Sequence, residues 1–269
     1  MIDAHTQLYG VFGNPVRHSL SPIIHNGAFR RMGLNAAYLA FEVKNLAEAM
    51  SGIRGLGIRG VSVTLPFKTV IIPYLDDLEE VAGKIQAVNT ISHEGGRLTG
   101  HNTDWRGAVG ALEEKIDLRD KKVLLLGAGG AARAIAFGLK ERRCRVFIHN
   151  RSRARGVELA EAMGLVCPPS EAIHGLDVQV IINATSVGMT PREAETPWPK
   201  ELLRKGTVVM DIVYQPLRTR FLREAEERGC RTIDGLEMLA RQGAAQIEIW
   251  TGKKPEIRSI KEDLQKALK

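Results

Sequence analysis

The stretch LLLGAGGAARA sets Gly127, Gly129 and Gly130 between an apolar run and a segment with helical patterning. Strand, glycine-rich turn and helix start, in that order, are the context of a dinucleotide phosphate site. Gly127 allows the tight turn, Gly129 lets backbone approach a pyrophosphate, and the free N–H groups and dipole of the helix start face the phosphates. Gly127, Ala128, Gly129, Gly130 and Ala131 are therefore cofactor-binding candidates. Ala132 replaces the third glycine, as the looser form of the motif permits. A plain tight turn between strand and helix is the structural alternative.

An acidic residue usually holds the ribose hydroxyls about twenty residues after such a turn. Here that place is Asn150, in HNRSRAR, and Arg151, Arg153 and Arg155 follow it. An acid at 150 would repel a 2′-phosphate, and Asn150 removes that repulsion. Arg151 can stack on adenine or meet the phosphate, and Ser152 can donate to it at a helix start. Arg153 points elsewhere on a helix. Cations in a first helical turn are mildly unfavourable, a cost that makes sense if a dianion lands among them. The expected cofactor is NADP(H), not NAD.

A second set of polar residues lies at the ends of other segments. Ser19 and Ser21 precede a helical pattern in RHSLSPIIHN. Ser21 followed by Pro22 reads as an N-cap with proline at the first helical position. Two hydroxyls at a helix start could equally donate to a ligand carboxylate. GVSVTLPFK ends a strand with Thr64, Pro66 and Lys68, and the carboxyl ends of strands are where open α/β sheets bind ligands. Lys68 is a general acid or base there, or a surface lysine. Asn89 could donate to and accept from a sugar-like hydroxyl. Asp104 could orient a hydroxyl and share protons with Lys68, or form a structural ion pair with it, or cap a helix. Gln242 is polar within an apolar helical pattern; its partners would be a polyhydroxylated ligand or solvent.

The elements that must position these groups alternate. Strands are expected at QLYGVFG, AAYLAFEV, GVSVTLP, KKVLLLGAGG, RVFIHN, VQVIINAT, GTVVMDIVY and CRTID. Helices are expected at SPIIHNGAFRRMG, LAEAMSGIRGLG, WRGAVGALEEKI, AARAIAFGLKERR, RARGVELAEAMG, LEMLARQGAAQIEIWTG and IKEDLQKALK. AVNTISHEGGRLTGHNTD reads as a hairpin turning at Gly95 and Gly96. The alternation implies an α/β chain with parallel sheets and right-handed crossovers. Motif position puts a boundary near Asp104.

Composition narrows the function classes. The chain has 269 residues, 44% of them hydrophobic, enough for one or two domains with large cores. No stretch approaches the roughly 18 uncharged apolar residues of a membrane span, and the first residues lack the pattern of a secretion signal. Cys144, Cys167 and Cys230 are odd in number and far apart, which suggests reduced thiols in a cytosol. The seven histidines show no metal-ligand spacing, so no metal is expected. The net charge of +7 is scattered with no aromatic-interleaved patch. It suits phosphorylated or carboxylated small ligands better than nucleic acid.

Taken together, HSLSP, GVSVTLPFK, AVNT, NTD, GAGGAAR, NRSRAR, NATSVGM, DIVYQP and DGLEMLARQGA resemble the shikimate dehydrogenase family, in order from about residue 8 to residue 250. The resemblance implies NADPH-dependent reduction of 3-dehydroshikimate to shikimate, a step toward chorismate and the aromatic amino acids. It implies an N-terminal α/β substrate-binding domain over residues 1–104, a Rossmann-type doubly wound NADP-binding domain over 105–236, and C-terminal helices over 237–269 packing back on the first. By position, Ser19 and Ser21 would hold the substrate carboxylate. Thr64, Asn89, Asp104 and Gln242 would bind hydroxyls, with Tyr214 on the substrate side. Lys68 would be the catalytic acid/base, with Asp104 beside it fixing the geometry. Arg155 would add a phosphate contact, and Ile212 and Gly235 would line the nicotinamide. Ser62 departs from the family, which often has asparagine there. A quinate/shikimate dehydrogenase and a non-catalytic NADP-binding sensor are the alternatives. The expected partner is a small molecule, with no nucleic acid and no membrane, for a cytoplasmic monomer or homodimer.

Overall fold

A computed structural model of the chain describes residues 2–268. The chain divides into two compact units, Met1–Thr103 with Ala240–Lys269, and Asp104–Leu239. The first division falls between Thr103 and Asp104, because Asp104 opens a helix of the second unit. The second falls inside one continuous helix, Gly235–Thr251, between Leu239 and Ala240, and not at 236/237.

The first unit contains β1 (Gln7–Gly13), α1 (Ser21–Arg31), β2 (Ala36–Glu42), α2 (Leu46–Gly55), β3 (Gly60–Val63), β4 (Asp77–Leu78), α3 (Glu80–Ile85), β5 (Thr90–Glu94) and β6 (Arg97–His101). The six strands form one sheet in the order β2-β1-β3-β5-β6-β4. β1 runs parallel to β2 and β3, whereas β5 is antiparallel to both β3 and β6. The sheet is therefore mixed, not parallel as the alternation alone implied. The reason is the hairpin: Gly95 and Gly96 take φ of 56° and 80°, the double left-handed turn that reverses a strand in two residues. Its core is an aliphatic cluster around Ile53, Val61, Ile71, Val88 and Ile91, all buried.

The second unit contains α4 (Asp104–Glu113), β7 (Lys122–Leu126), α5 (Gly130–Glu141), β8 (Arg145–His149), α6 (Arg153–Met163), α7 (Ser170–Ile173), β9 (Val180–Asn183), β10 (Val208–Asp211), α8 (Arg220–Glu227) and β11 (Arg231–Ile233). Its five strands are all parallel, in the order β11-β10-β9-β7-β8. The chain winds outward from β7 to β8 on one side, then returns to β9, β10 and β11 on the other. This is a doubly wound sheet whose switch point lies between β7 and β9. The near-continuous apolar runs of β7, β9 and β10 are buried, as a sheet covered on both faces requires.

Two helices close the chain, α9 (Gly235–Thr251) and α10 (Ile257–Ala267). Within the first unit, Trp250 of α9 meets Tyr9 and His25 and donates its indole N–H to Ile91 O at 2.9 Å. The Asp263 carboxylate of α10 accepts from Arg31 of α1 at 2.7 Å.

Candidate functional site

In the second unit, the glycine-rich turn leaves β7 at the switch point and opens α5. Gly127 has φ +118°, and a Cβ there would lie 3.0 Å from Thr185 Cγ2 and 3.1 Å from Ala184 O. Only glycine fits that position. Gly129 differs: its φ of −86° and ψ of −174° suit any residue, and a Cβ there would meet nothing within 4 Å. The space beside Gly129 is open, as a phosphate cradle needs. Ala132 is fully buried.

Ala128, Gly129, Asn150, Arg151, Ser152 and Arg155 line one open cleft. No carboxylate is among them, and neither arginine has an ion-pair partner among the described residues. Ser152 is the N-cap of α6 but makes no side-chain capping bond, so its hydroxyl is not committed to the helix. Asn150 is held by donating Nδ2–H to Ser152 O at 2.8 Å. Arg153 donates instead to Pro168 O at 3.1 Å and does not line the cleft. Gly130 opens α5, and Ala131 follows it, half-buried.

Loops after β9 and β10 are pinned by buried polar residues that the sequence reading did not pick out. Asp211, fully buried at the end of β10, accepts from Asn183 Nδ2 at 2.9 Å, Val213 N at 3.0 Å and Thr219 Oγ1 at 2.7 Å. Burial pushes its carboxyl up to about 6. These bonds fix the segment that carries Ile212 and Tyr214. Gly235 packs against the same segment: a Cβ on it would lie 2.5 Å from Val213 O and 2.7 Å from Ile212 O. Tyr214 is half-buried, and desolvation raises its phenol. The available signal was a polar residue ending an apolar strand run, VIIN and VVMD.

In the first unit, Ser21 is not the cap of α1. Leu20 holds that position, in helical conformation and without a side-chain bond, so Ser21 and Pro22 lie inside the first turn. Ser19 takes over: its Oγ accepts from Ser21 N–H at 3.2 Å. The Tyr38 phenol lies beside Ser21 and Ser62. Thr64 follows β3, and Lys68, half-buried, lies four residues on. The Lys68 carbonyl accepts from Val88 N–H at 2.7 Å, which fixes the lysine turn next to Asn89. Asn89 is 2% exposed and donates Nδ2–H to Thr103 Oγ1 at 2.9 Å and to Gln242 Oε1 at 3.3 Å. The Lys68 turn, Asn89 and Gln242 are thus brought together from three separate stretches. Asp104, buried, opens α4 in the second unit.

Beneath Asn89 lie further buried groups. His25 is fully buried, stacked on Tyr38 with ring centroids 4.0 Å apart and planes 5° from parallel. Its Nδ1–H donates to Ser21 O at 2.8 Å, the carbonyl fixing the tautomer. Gln246 stands near Nε2, but its amide protons go to Asn89 O and Thr90 Oγ1, leaving Nε2 unbonded. Burial pushes the imidazole down to about 4.

A mixed α/β unit that sets the Lys68 turn next to a buried Asn89–Gln242 pair, together with a doubly wound unit carrying a basic cleft beside a glycine-rich turn, fits the class of NADP-dependent oxidoreductases. Three family descriptions match the chain: "Shikimate dehydrogenase substrate binding domain" over residues 11–91, "Shikimate / quinate 5-dehydrogenase" over 111–212 and "Shikimate 5'-dehydrogenase C-terminal domain" over 235–265. The shikimate dehydrogenase (NADP(+)) of Thermococcus kodakarensis is 51% identical over 261 residues, 95% of each chain. A shikimate dehydrogenase solved in complex with NADP+ is 41% identical, with a TM-score of 0.93 over 100% of this chain and 98% of that one. The Thermus thermophilus enzyme solved with NADP(H) and shikimate is 39% identical, with a TM-score of 0.91 over 98% of this chain and 100% of that one. The chain belongs to the shikimate dehydrogenase family. The family, fold class and cofactor expected from the motifs are borne out. Among the described residues, no helix is long and apolar enough to cross a membrane.

Proposed function

We propose that this chain catalyses the reversible NADPH-dependent reduction of 3-dehydroshikimate to shikimate, a step toward chorismate and the aromatic amino acids. The first unit is the substrate-binding unit and the second the cofactor unit. The observation that carries the reading is the convergence of Lys68 with Asn89 and Gln242, through the Val88–Lys68 backbone bond and the Asn89–Gln242 side-chain bond.

The cofactor fits the residues present. The open space at Gly129 admits a pyrophosphate to the start of α5, and Arg151, Ser152 and Arg155 offer a 2′-phosphate donors without a competing carboxylate. Ile212 and Gly235 line the nicotinamide. When bound, NADPH supplies the hydride that reduces the C3 carbonyl. Ser19 and Ser21 hold the substrate carboxylate. Thr64, Asn89, Gln242 and Asp104 bind its hydroxyls, with Tyr214 on the substrate side. Lys68 Nζ stabilises the charge that develops on the C3 oxygen and delivers its proton there, which is acid catalysis by a positioned group. In the reverse direction the same amine takes the proton from the C3 hydroxyl. The chain acts in the cytoplasm as a monomer or homodimer, and its three cysteines are free thiols.

A rate matrix tests this reading: shikimate and quinate, each with NADP+ and with NAD+. The shikimate and NADP+ pair is expected to have the highest kcat/KM. Turnover of quinate alone, or cofactor binding with no turnover of shikimate, would overturn it.

A further inference from the structure

Behind Asn89 runs a chain of buried hydrogen bonds. Tyr38 Oη donates to Ser62 Oγ at 2.6 Å, and Ser62 Oγ donates to Gln246 Oε1 at 2.8 Å. Gln246 Nε2 donates to Asn89 O and to Thr90 Oγ1, both at 3.0 Å. Thr90 Oγ1 donates to Asn89 Oδ1 at 2.7 Å, and Thr103 N donates to the same oxygen at 2.8 Å. Tyr38, Ser62, Asn89, Thr90 and Gln246 are all buried. All belong to the first unit.

The direction of this chain is forced by two backbone groups. The Asn89 carbonyl can only accept, so the Gln246 edge facing it must be the amide nitrogen. Thr103 N–H can only donate, so the Asn89 edge facing it must be the carbonyl oxygen. With Gln246 Nε2 turned to Asn89 O, its Oε1 faces Ser62 and needs a donor. Ser62 Oγ–H supplies it, and the Ser62 lone pair in turn receives Tyr38 O–H. Thr90 accepts from Gln246 and spends its own proton on Asn89 Oδ1. Every hydroxyl proton is assigned, and the result at the near end is fixed: Asn89 Oδ1 is saturated from behind and Nδ2 is the edge turned toward Gln242.

We propose that Ser62 and Gln246 are positioning residues for substrate recognition, which lock the Asn89 carboxamide with its N–H edge toward the substrate-binding groups. This rests on the function proposed above and adds two residues to it. Neither touches the substrate; both act through Asn89. A buried hydroxyl that only filled space would give the same packing with alanine, and its loss would leave the Asn89 amide unchanged. A hydroxyl that completes this chain leaves Gln246 Oε1 without a donor when removed, and the amide pair loosens. Tyr38 lies upstream of Ser62, so removal of its hydroxyl leaves the chain from Ser62 to Asn89 intact.

The test compares Ser62→Ala, Tyr38→Phe, Ser62→Thr and the double variant Tyr38→Phe/Ser62→Ala, which removes the orphaned phenol and guards against loss of folding. Steady-state kinetics with 3-dehydroshikimate and NADPH is paired with NMR of the Asn89 side-chain amide, assigned by its loss in Asn89→Asp. Ser62→Ala and the double variant are expected to raise KM for 3-dehydroshikimate roughly tenfold, equivalent to about 1.4 kcal/mol. KM for NADPH should stay within about twofold, and the Asn89 amide resonance should move. Tyr38→Phe, whose phenol also meets Ser21, should leave the Asn89 resonance near the parent, and Ser62→Thr, which keeps the hydroxyl, should restore both KM and resonance. An unchanged KM and resonance in the double variant would overturn the proposal, as would an equal shift of the Asn89 resonance in Tyr38→Phe. A parent protein that fails to turn over 3-dehydroshikimate would overturn the proposed function instead, and the amide resonance would still decide the positioning.

Discussion

Replacing Gly129 by alanine separates ligand contact from fold more cleanly than any other change in the phosphate turn. Gly129 has an extended backbone, φ −86° and ψ −174°, and its added Cβ would find no protein atom within 4 Å. The folded protein therefore has no reason to object. Loss of chain entropy in the unfolded state should even stabilise it, by about 0.4–1 kcal/mol. The new methyl would occupy the space through which a pyrophosphate reaches the start of α5. Losing one hydrogen bond to a charged group costs about 1.5–3 kcal/mol, which is roughly 10- to 150-fold in Kd. Gly127→Ala is the counterpart. At φ +118°, with Thr185 Cγ2 and Ala184 O at 3.0 and 3.1 Å from its Cβ, it should lower stability by at least about 1–3 kcal/mol. Urea unfolding gives the first quantity and titration calorimetry with NADP+ the second. Gly129→Ala binding NADP+ with the parent's Kd would refute the reasoning, because the phosphates would then not pass Gly129.

Lys68→Ala should lower kcat by at least about a hundredfold, the lower end for general acid–base catalysis, with a much smaller change in KM. A rise in KM alone would reduce Lys68 to a binding group. The parent should prefer NADP+ over NAD+ by roughly a hundredfold in kcat/KM, from one or two charge-assisted hydrogen bonds. Arg151→Ala should shrink that ratio by weakening NADP+ and leave NAD+ nearly untouched; equal use of both by the parent would sink the role given to the arginines. His25 gives an acid-side signature. Its folded pKa is about 4, below the usual value of about 6.5, so the unfolded state takes the proton first as pH falls. Stability from the neutral ring is complete above about pH 6.5 and is lost toward pH 4, up to about 2 kcal/mol by pH 5. His25→Phe, which keeps a ring against Tyr38, should remove that loss. The parent-minus-variant difference in urea unfolding isolates it from Asp211, whose raised pKa acts in the opposite sense.

The glycine-rich turn between β7 and α5 was legible because its signal is local: glycine spacing, the apolar strand before and the helix after all lie within a dozen or so residues. The hairpin at Gly95 and Gly96 was legible for the same reason. The cap of α1 was misread because Ser-Pro is a helix-start signal that does not say which residue begins the turn. Leu20 already has helical backbone, and the capping bond moves back to Ser19. β4 and α3 went unnoticed in LDDLEEVAGKI. A two-residue strand pairs only with β6, and a charged six-residue helix opened by Glu79 gives little periodicity. The network behind Asn89 was invisible for a different reason. Ser62 and Gln246 are 184 residues apart, and only the packing of α9 on the sheet brings them together. The one local hint was that Gln246 follows Gln242 by four positions on a single helix face.

The most direct measurement is the loss of nicotinamide absorbance when purified protein, NADPH and 3-dehydroshikimate are mixed, with the product identified by NMR. Equimolar conversion to shikimate is expected, abolished in Lys68→Ala to within about a hundredth of the parent rate. NADPH bound in the cleft but not consumed, or a product other than shikimate, would contradict the account.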